Sequence, residues 1–258
     1  MKTSNYFSKK IVNILFNETW YNKIKLFKII LDYKLKVPYE ISPILSKIIT
    51  SDAIILDIGA NMGQYACRLN KIVKKSNGMV YCFEPVKNNF VALASMKRIL
   101  NLNKVVVNNY GISNAIGETY INIPIMDKSL VIGTQATLLE LNNNIKIKKE
   151  AVKLTTIDTY ITENNIDRVD FIKCDTEGNE VKVLDGGKST ISKQLPILDL
   201  EISHNNKNIN WIYNLGYKPF YYDSHIKKLS ILKTHQTGNL ILIHEKMINQ
   251  FKRIIDFE

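Results

Sequence analysis

Two acidic clusters in this chain sit where apolar segments end. Asp57 follows the run Ala53-Ile54-Ile55-Leu56 and opens Asp57-Ile58-Gly59-Ala60-Asn61-Met62-Gly63. Lys173, Asp175, Glu177 and Glu180 are interleaved in Phe171-Ile172-Lys173-Cys174-Asp175-Thr176-Glu177-Gly178-Asn179-Glu180. A carboxylate at a strand's carboxyl end faces the crevice where open α/β sheets bind ligands. Asp57 can hold a ligand ammonium, directly or through water; the plainer reading is an Asp that caps the glycine turn. In the second cluster, alternation puts Lys173 and Asp175 on one side of the strand. A lysine inside a buried strand needs a partner, and the neighbouring carboxylates supply it. Such a group can deprotonate a hydroxyl, orient it or hold a metal ion. The plainer reading is a structural ion network at a helix start.

Another acidic residue, Glu84, ends the apolar run Tyr81-Cys82-Phe83 and precedes Pro85. An acid there can accept hydrogen bonds from both ribose hydroxyls. Gly59 and Gly63 read as places where the backbone approaches a ligand closely. The loop lacks the G-x-G-x-x-G that holds a pyrophosphate and the G-K-[ST] that holds a triphosphate. A nucleoside ligand without phosphates is therefore expected, and S-adenosylmethionine is the common one. Glu84 alone is also compatible with NAD, but the glycine pattern is not. Glu201 and His204 lie at the end of a later apolar run, where His204 can be a base or simply solvated. Ser113 has no G-x-S-x-G context, so acyl chemistry has no support.

The elements that must carry these residues alternate from residue 53 onward. Strands are expected at 53–57, 79–84, 105–109, 119–123, 169–175, 196–202, 217–222 and 239–244. Helices are expected at 64–74, 87–100, 177–186 and 209–215, with a short one near 155–164. Apolar strands joined by crossover helices imply a doubly wound, mostly parallel α/β sheet, here of seven strands with one antiparallel edge. Residues 124–154 read as an irregular insertion, rich in Lys146, Lys148, Lys149 and Lys153, of the kind that forms a substrate loop or lid.

Residues 1–50 differ in character and are expected to be a basic helical extension, with the main domain at 51–258. Eight lysines up to position 36 face only Glu18 and Asp32. Ile11, Ile14, Leu15, Trp20, Ile24, Phe27, Ile30 and Leu31 recur at helical spacing. The favoured reading packs that apolar face on the main domain; the alternative lays residues 1–36 on an anionic membrane. The formal net charge is +11. It points either to an anionic partner or to a general abundance of Lys. Cys67, Cys82 and Cys174 form no C-x-x-C pair, which argues against a zinc site or disulfide framework and favours a reducing, cytoplasmic setting. No metal site is expected. No apolar run reaches the roughly 18 residues of a membrane span.

The motifs together resemble those of the FkbM family of S-adenosylmethionine-dependent methyltransferases. The matching segments are the Asp57–Gly63 loop, Phe83-Glu84-Pro85, Asn101-Leu102-Asn103, Leu154-Thr155-Thr156-Ile157-Asp158, the Ile172–Glu180 cluster, Val183-Leu184, Gly186-Gly187, Pro196, Leu215-Gly216-Tyr217 and Asn239-Leu240-Ile241. They cover roughly residues 53–244. The resemblance implies a class I methyltransferase fold and methyl transfer to a hydroxyl, most often of a sugar, glycan or polyketide. It implies that Asp57, Gly59, Asn61, Gly63 and Glu84 bind S-adenosylmethionine, with Lys173, Asp175 and Glu177 at the active centre. Cys174, Thr176 and Asn179 stand where members more often have Ile, Val and Ala, which bears on substrate fit. The rival readings are a nucleic-acid methyltransferase and a non-catalytic membrane-associated protein on the same fold. Against the first, the chain has no N-P-P-Y-type motif and no recognisable RNA-binding module.

Overall fold

A computed structural model of the chain describes residues 18–37, 42–126, 130–131, 135–139, 146–223, 225–231 and 239–256. Residues 1–17 of the expected extension, parts of the expected insertion and His235 lie outside the described residues. The described chain opens with helices α1 (Glu18–Lys34) and α2 (Ser42–Ile48). It then alternates β1 (Ile54–Ile58), α3 (Gln64–Val73), β2 (Met79–Phe83), α4 (Lys87–Ile99) and β3 (Val105–Asn108). Next come β4 (Gly111–Ile112), β5 (Gly117–Met126), β6 (Leu130–Val131), β7 (Ile147–Thr155) and helix α5 (Ile157–Glu163). The alternation resumes with β8 (Phe171–Cys174), α6 (Glu180–Asp185), α7 (Lys188–Gln194), β9 (Ile197–Leu200) and α8 (Asn210–Asn214). The chain ends with β10 (Tyr217–Asp223), β11 (Lys228–Ile231), β12 (Leu240–His244), α9 (Glu245–Ile248) and β13 (Ile255–Asp256).

The main sheet has the order β13-β11-β10-β12-β9-β8-β1-β2-β3. Its centre is parallel: β1 pairs with β2 and β8, β2 with β3, and β8 with β9. Every residue of β8 and β9 is buried, as expected of strands covered on both faces. Successive strands run outward from β1 to β3, and the chain then returns to the other side of β1 with β8. That reversal creates a crevice at the carboxyl ends of β1, β2 and β8.

The expected doubly wound α/β fold is present, but the strand count is nine rather than seven. β11 and β13 are the additions. One carries only two buried residues and the other is two residues long, too short to show a periodicity. The antiparallel part is also wider than one edge strand, since β12 pairs antiparallel with both β9 and β10.

A second sheet, β4-β7-β5-β6, stands apart from the first. Residues 147–154 of the expected irregular insertion belong instead to strand β7, paired antiparallel with β5 over eight residue pairs. Lysines at exposed positions conceal its inner face, where Val152 is buried and Glu150 and Leu154 are half-buried.

Two apolar layers sandwich the main sheet. One joins Ala66, Leu69, Leu93 and Met96 to Ile29, Ile44, Leu45, Ile48 and Ile49. The inward side of α1 and α2 therefore packs on the main domain, against α3 and α4. The other layer holds Ile157, Tyr160, Val183, Leu184, Ile191 and Ile212. Thr156 caps α5, its Oγ1 accepting the N–H of Thr159 at 3.0 Å. Asp158 instead caps α7, accepting the N–H groups of Ser189 and Thr190. That bond between two helices gives the Thr156-Ile157-Asp158 motif a structural role.

Candidate active site

The register of the central strands puts Cys82, Asp57, Lys173 and Asp199 in one row across β2, β1, β8 and β9. Asp57 and Asp199 are fully buried and Lys173 is 3% exposed. The Lys173 ammonium lies 3.7 Å from Asp57 Oδ1 and 3.2 Å from Asp175 Oδ2. It donates to the Gly59 carbonyl at 3.2 Å and sits 4.9 Å from the centre of the Tyr65 ring. Burial works against the ammonium, but Asp57 and Asp175 outweigh it and hold Lys173 protonated above the ordinary lysine range. Burial likewise raises Asp57, and Lys173 pulls it back. Asp199, pushed up to about 6 by burial, is steadied by Asn239, whose Nδ2 donates to Oδ1 at 2.8 Å.

The loop after β1 is shaped by protein on both sides. Gly59 has φ +75° and Gly63 φ +96°, conformations that suit glycine. A side-chain carbon on Gly59 would fall 1.8 Å from the Asp175 carbonyl oxygen, and one on Gly63 would strike Met96 and Leu93 of α4. Both glycines thus permit close packing within the protein. The sequence reading had assigned that close approach to a ligand. Asn61, also left-handed at φ 52°, donates its N–H to Glu84 Oε2 at 2.8 Å.

Glu84 joins this loop to the next. Its Oε1 accepts from the Val86 N–H at 3.0 Å and from Asn89 Nδ2 at 3.3 Å. Burial pushes its carboxyl up to about 7, against the pull of those three donors. A carboxylate offers about four acceptor sites, so one remains for a ligand hydroxyl.

Asp175 follows β8 at the rim of the same crevice. Burial disfavours its charge, but Lys173 and a hydrogen bond with Glu201 outweigh that and hold it below the usual carboxylate range. Glu201 takes the opposite shift: the hydrogen bond to Asp175, then burial, push it up to about 8. Near neutral pH the two therefore share a proton carried by Glu201. Carboxylate oxygens of Asp175, Glu177 and Glu201 lie within 4.8 Å of one another, a spacing that could also hold a cation. Glu180, by contrast, is buried and turns back on its own loop, accepting from Thr176 N, Thr176 Oγ1 and Gly178 N. It stabilises the turn that presents Glu177, whose φ is +55°.

These parts meet in a cleft of about 670 Å³, partly open to solvent. Gly59, Asn61, Glu84, Asp175 and Glu177 all line it. Asp57, Gly63 and Lys173 are not in its wall; they lie behind or beside it as support. Sequence reasoning missed two contributors. The first is Tyr110-Gly111-Ile112 after β3, discoverable because consecutive parallel strands end on the same rim. The second is Ile121 of β5; beside it Ala136 and Leu138, within the expected 124–154 insertion, line the wall, and Thr137 Oγ1 donates to the Glu177 carbonyl at 2.7 Å. Asn179 also lines the cleft. Its Nδ2 donates to the Ile112 carbonyl, and its Oδ1 accepts no hydrogen bond from the described residues. His204 is placed outside this group and lends only its carbonyl, to the Tyr213 hydroxyl. Cys67, Cys82 and Cys174 are all buried free thiols.

A sequence model described as the methyltransferase FkbM domain matches residues 57–256. The chain belongs to the FkbM methyltransferase family. That is the family whose motifs the sequence resembles. Among solved structures, the FkbM methyltransferase of Methylobacillus flagellatus KT superposes with a TM-score of 0.51 at 17% identity, over 76% of this chain. The match covers 44% of that protein, so this chain spans less than half of its length. An rRNA methylase from Streptococcus thermophilus gives 0.45 at 12% identity, over 80% of this chain and 95% of that one. Aeropyrum pernix fibrillarin, solved with natively bound S-adenosyl-L-methionine, gives 0.45 at 11% identity, over 78% and 72%. No curated protein matches the sequence significantly.

The cleft suits the family's cofactor on its own chemistry. It has the carboxyl-end position, an apolar lining from Ile58 and Phe83, and a Glu84 carboxylate with acceptor capacity left.

Proposed function

We propose that the chain transfers a methyl group to a hydroxyl of a sugar, glycan or related metabolite. The observation that carries this reading is the meeting of Glu84 and Asn61 with Asp175 and Glu177 in one cleft. Glu84 would accept a ribose hydroxyl of S-adenosylmethionine, with Gly59 and Asn61 shaping the loop beside it. The bound cofactor supplies an activated methyl electrophile whose leaving group departs as a neutral thioether. The protein's part is then to position a hydroxyl in line and to take its proton, and positioning supplies much of the rate.

Asp175, or Glu177 beside it, accepts that proton. Lys173 acts through Asp175: it lies behind the cleft wall and fixes that carboxylate from below. Asp57 is its buried counter-ion. In this reading Lys173, expected at the active centre, is a positioning residue, and Asp57, expected to bind the cofactor, is a support. The apolar wall of Ile121, Ala136 and Leu138, with Asn179 between it and the carboxylates, supports an acceptor site on that side.

Calorimetric titration with S-adenosylmethionine and labelled methyl transfer into hydroxyl-bearing glycan fractions test this reading together. Asp175→Asn and Glu177→Gln should each lower transfer, by about 10²–10⁴-fold for the residue that takes the proton, while cofactor affinity stays within about twofold of the parent. Full transfer in both variants would remove these carboxylates from the mechanism. Absence of cofactor binding by the parent would remove the reading altogether.

A further inference from the structure

Helix α1 is apolar on two sides. Its inward side, Leu26, Ile29, Ile30 and Tyr33, packs into the core layer over α3 and α4. The opposite side should then be polar, as on most helices that cover a domain. Instead it carries Ile24, Phe27, Leu31 and Leu35, which are 43%, 66%, 40% and 66% exposed. Their spacing of three, four and four residues makes a single stripe along the helix. The Leu35 N–H still bonds the Leu31 carbonyl, so the helical turn continues to its end.

Lysines rim this stripe. Lys28, Lys34 and Lys36 are exposed beside it. Residues 18–37 hold five lysines (23, 25, 28, 34 and 36) and two acids (Glu18 and Asp32), a net of +3. The preceding 17 residues add Lys2, Lys9 and Lys10 and no acid.

We propose that the outward face of α1 docks the protein on an anionic lipid bilayer. Aliphatic and aromatic side chains along one line, flanked by lysines, suit the boundary between headgroups and acyl chains. The apolar tips enter it, and the lysine stems reach back to the anionic headgroups. A second copy of the chain is the less suitable occupant. A two-fold contact through this stripe would bring two lysine rims together, and like charges repel. The proposal is independent of the methyl acceptor and of the cleft, whose residues lie on other elements.

The test is co-sedimentation of the full-length protein with vesicles of pure phosphatidylcholine or of equal parts phosphatidylcholine and phosphatidylglycerol. The parent should sediment with the mixed vesicles, stay in solution with the neutral ones, and be released as ionic strength rises. Phe27→Ser combined with Leu31→Ser should lower partition by about tenfold or more. Lys28→Glu combined with Lys34→Glu should do the same by reversing charge near the surface. All four positions are exposed and outside the cleft, so cofactor titration should be unchanged and thermal melting should coincide with the parent. If the serine pair unfolds, the glutamate pair decides. Parent protein that ignores anionic vesicles would overturn the proposal, as would variants that sediment like the parent. A parent dimer that Phe27→Ser dissolves, with no vesicle binding, would assign the stripe to a second copy instead.

Discussion

Removing the Lys173 ammonium should be among the most damaging single changes in this protein, and its cost can be worked from the geometry. The ammonium is 3% exposed and is the cation facing a fully buried Asp57 at 3.7 Å. Lys173→Met keeps the apolar stem and removes the charge, leaving Asp57 buried without its partner. Breaking one side of a buried pair in this way costs about 3–5 kcal/mol, a large share of a total stability of about 5–15 kcal/mol. With an m-value of about 2–3 kcal/mol/M, the urea midpoint should fall by about 1–2 M. The sign of the pH dependence follows. Burial raises Asp57 and Lys173 pulls it back, so without the lysine the folded-state pKa rises further above the unfolded value. A carboxyl raised on folding costs nothing while it is protonated in both states, and its penalty grows as pH climbs through the folded value. The deficit of Lys173→Met should therefore shrink toward pH 4 and be largest above neutrality. Adding Asp57→Asn should recover most of it, because the stranded charge is then gone. Urea unfolding of the parent, both single variants and the double variant, each at pH 4, 6 and 8, measures all of this. A Lys173→Met protein within about 1 kcal/mol of the parent across that range would refute the buried-pair account.

Three further outcomes are expected. Burial pushes Glu84 up to about 7, so if its carboxylate holds a ribose hydroxyl, the S-adenosylmethionine dissociation constant should fall by up to about tenfold from pH 6 to pH 8; calorimetry should show that trend flattened in Glu84→Gln. With Asp175 and Glu201 as the proton acceptor, transfer should rise about tenfold per pH unit below about 8 and level off above it; a Glu201→Gln profile that keeps the rising limb would count against the pair. Gly59→Ala forces a side chain into a left-handed position and against the Asp175 carbonyl, so thermal unfolding should show a loss of about 2 kcal/mol or more, with weakened transfer.

What could be seen beforehand was charge at the end of apolar runs. Asp57, Glu84 and Asp175 stood out for that reason, and the structure brings all three to one end of the sheet. Depth was not visible. A lysine in a strand is equally compatible with a cleft wall and with the row beneath it, and only the β1–β8 register sets Lys173 against Asp57. Glu201 also stood out at the end of an apolar run, but its pairing with Asp175 depends on register: Cys174 pairs with Leu200, so Asp175 and Glu201 are the next residues along two adjacent strands. Strand β7 was lost to its lysines, which occupy exposed positions and mask the buried Val152. The glycines were read as making room for a ligand because a sequence says that space is needed, not what fills it.

The contacts divide the site into two halves. The cofactor loop, Glu84 and Asp175 form one unit: Lys173 bonds both Gly59 and Asp175, Gly59 packs on the Asp175 carbonyl, and Glu84 holds Asn61. Movement of any one of them breaks a buried contact, so this half is held in place before a ligand arrives, which is the condition for catalysis by positioning. The small sheet is tied to it by the Thr137 bond to the Glu177 carbonyl, by the Asn179 bond to the Ile112 carbonyl of β4, by Leu139 beside Gly178 and by Val86 packed with Ile121 and Val152. On the proposed function, with the acceptor on the small-sheet side, Ile121, Ala136 or Leu138 can change while the buried row of charges, and the loop it supports, stay as they are.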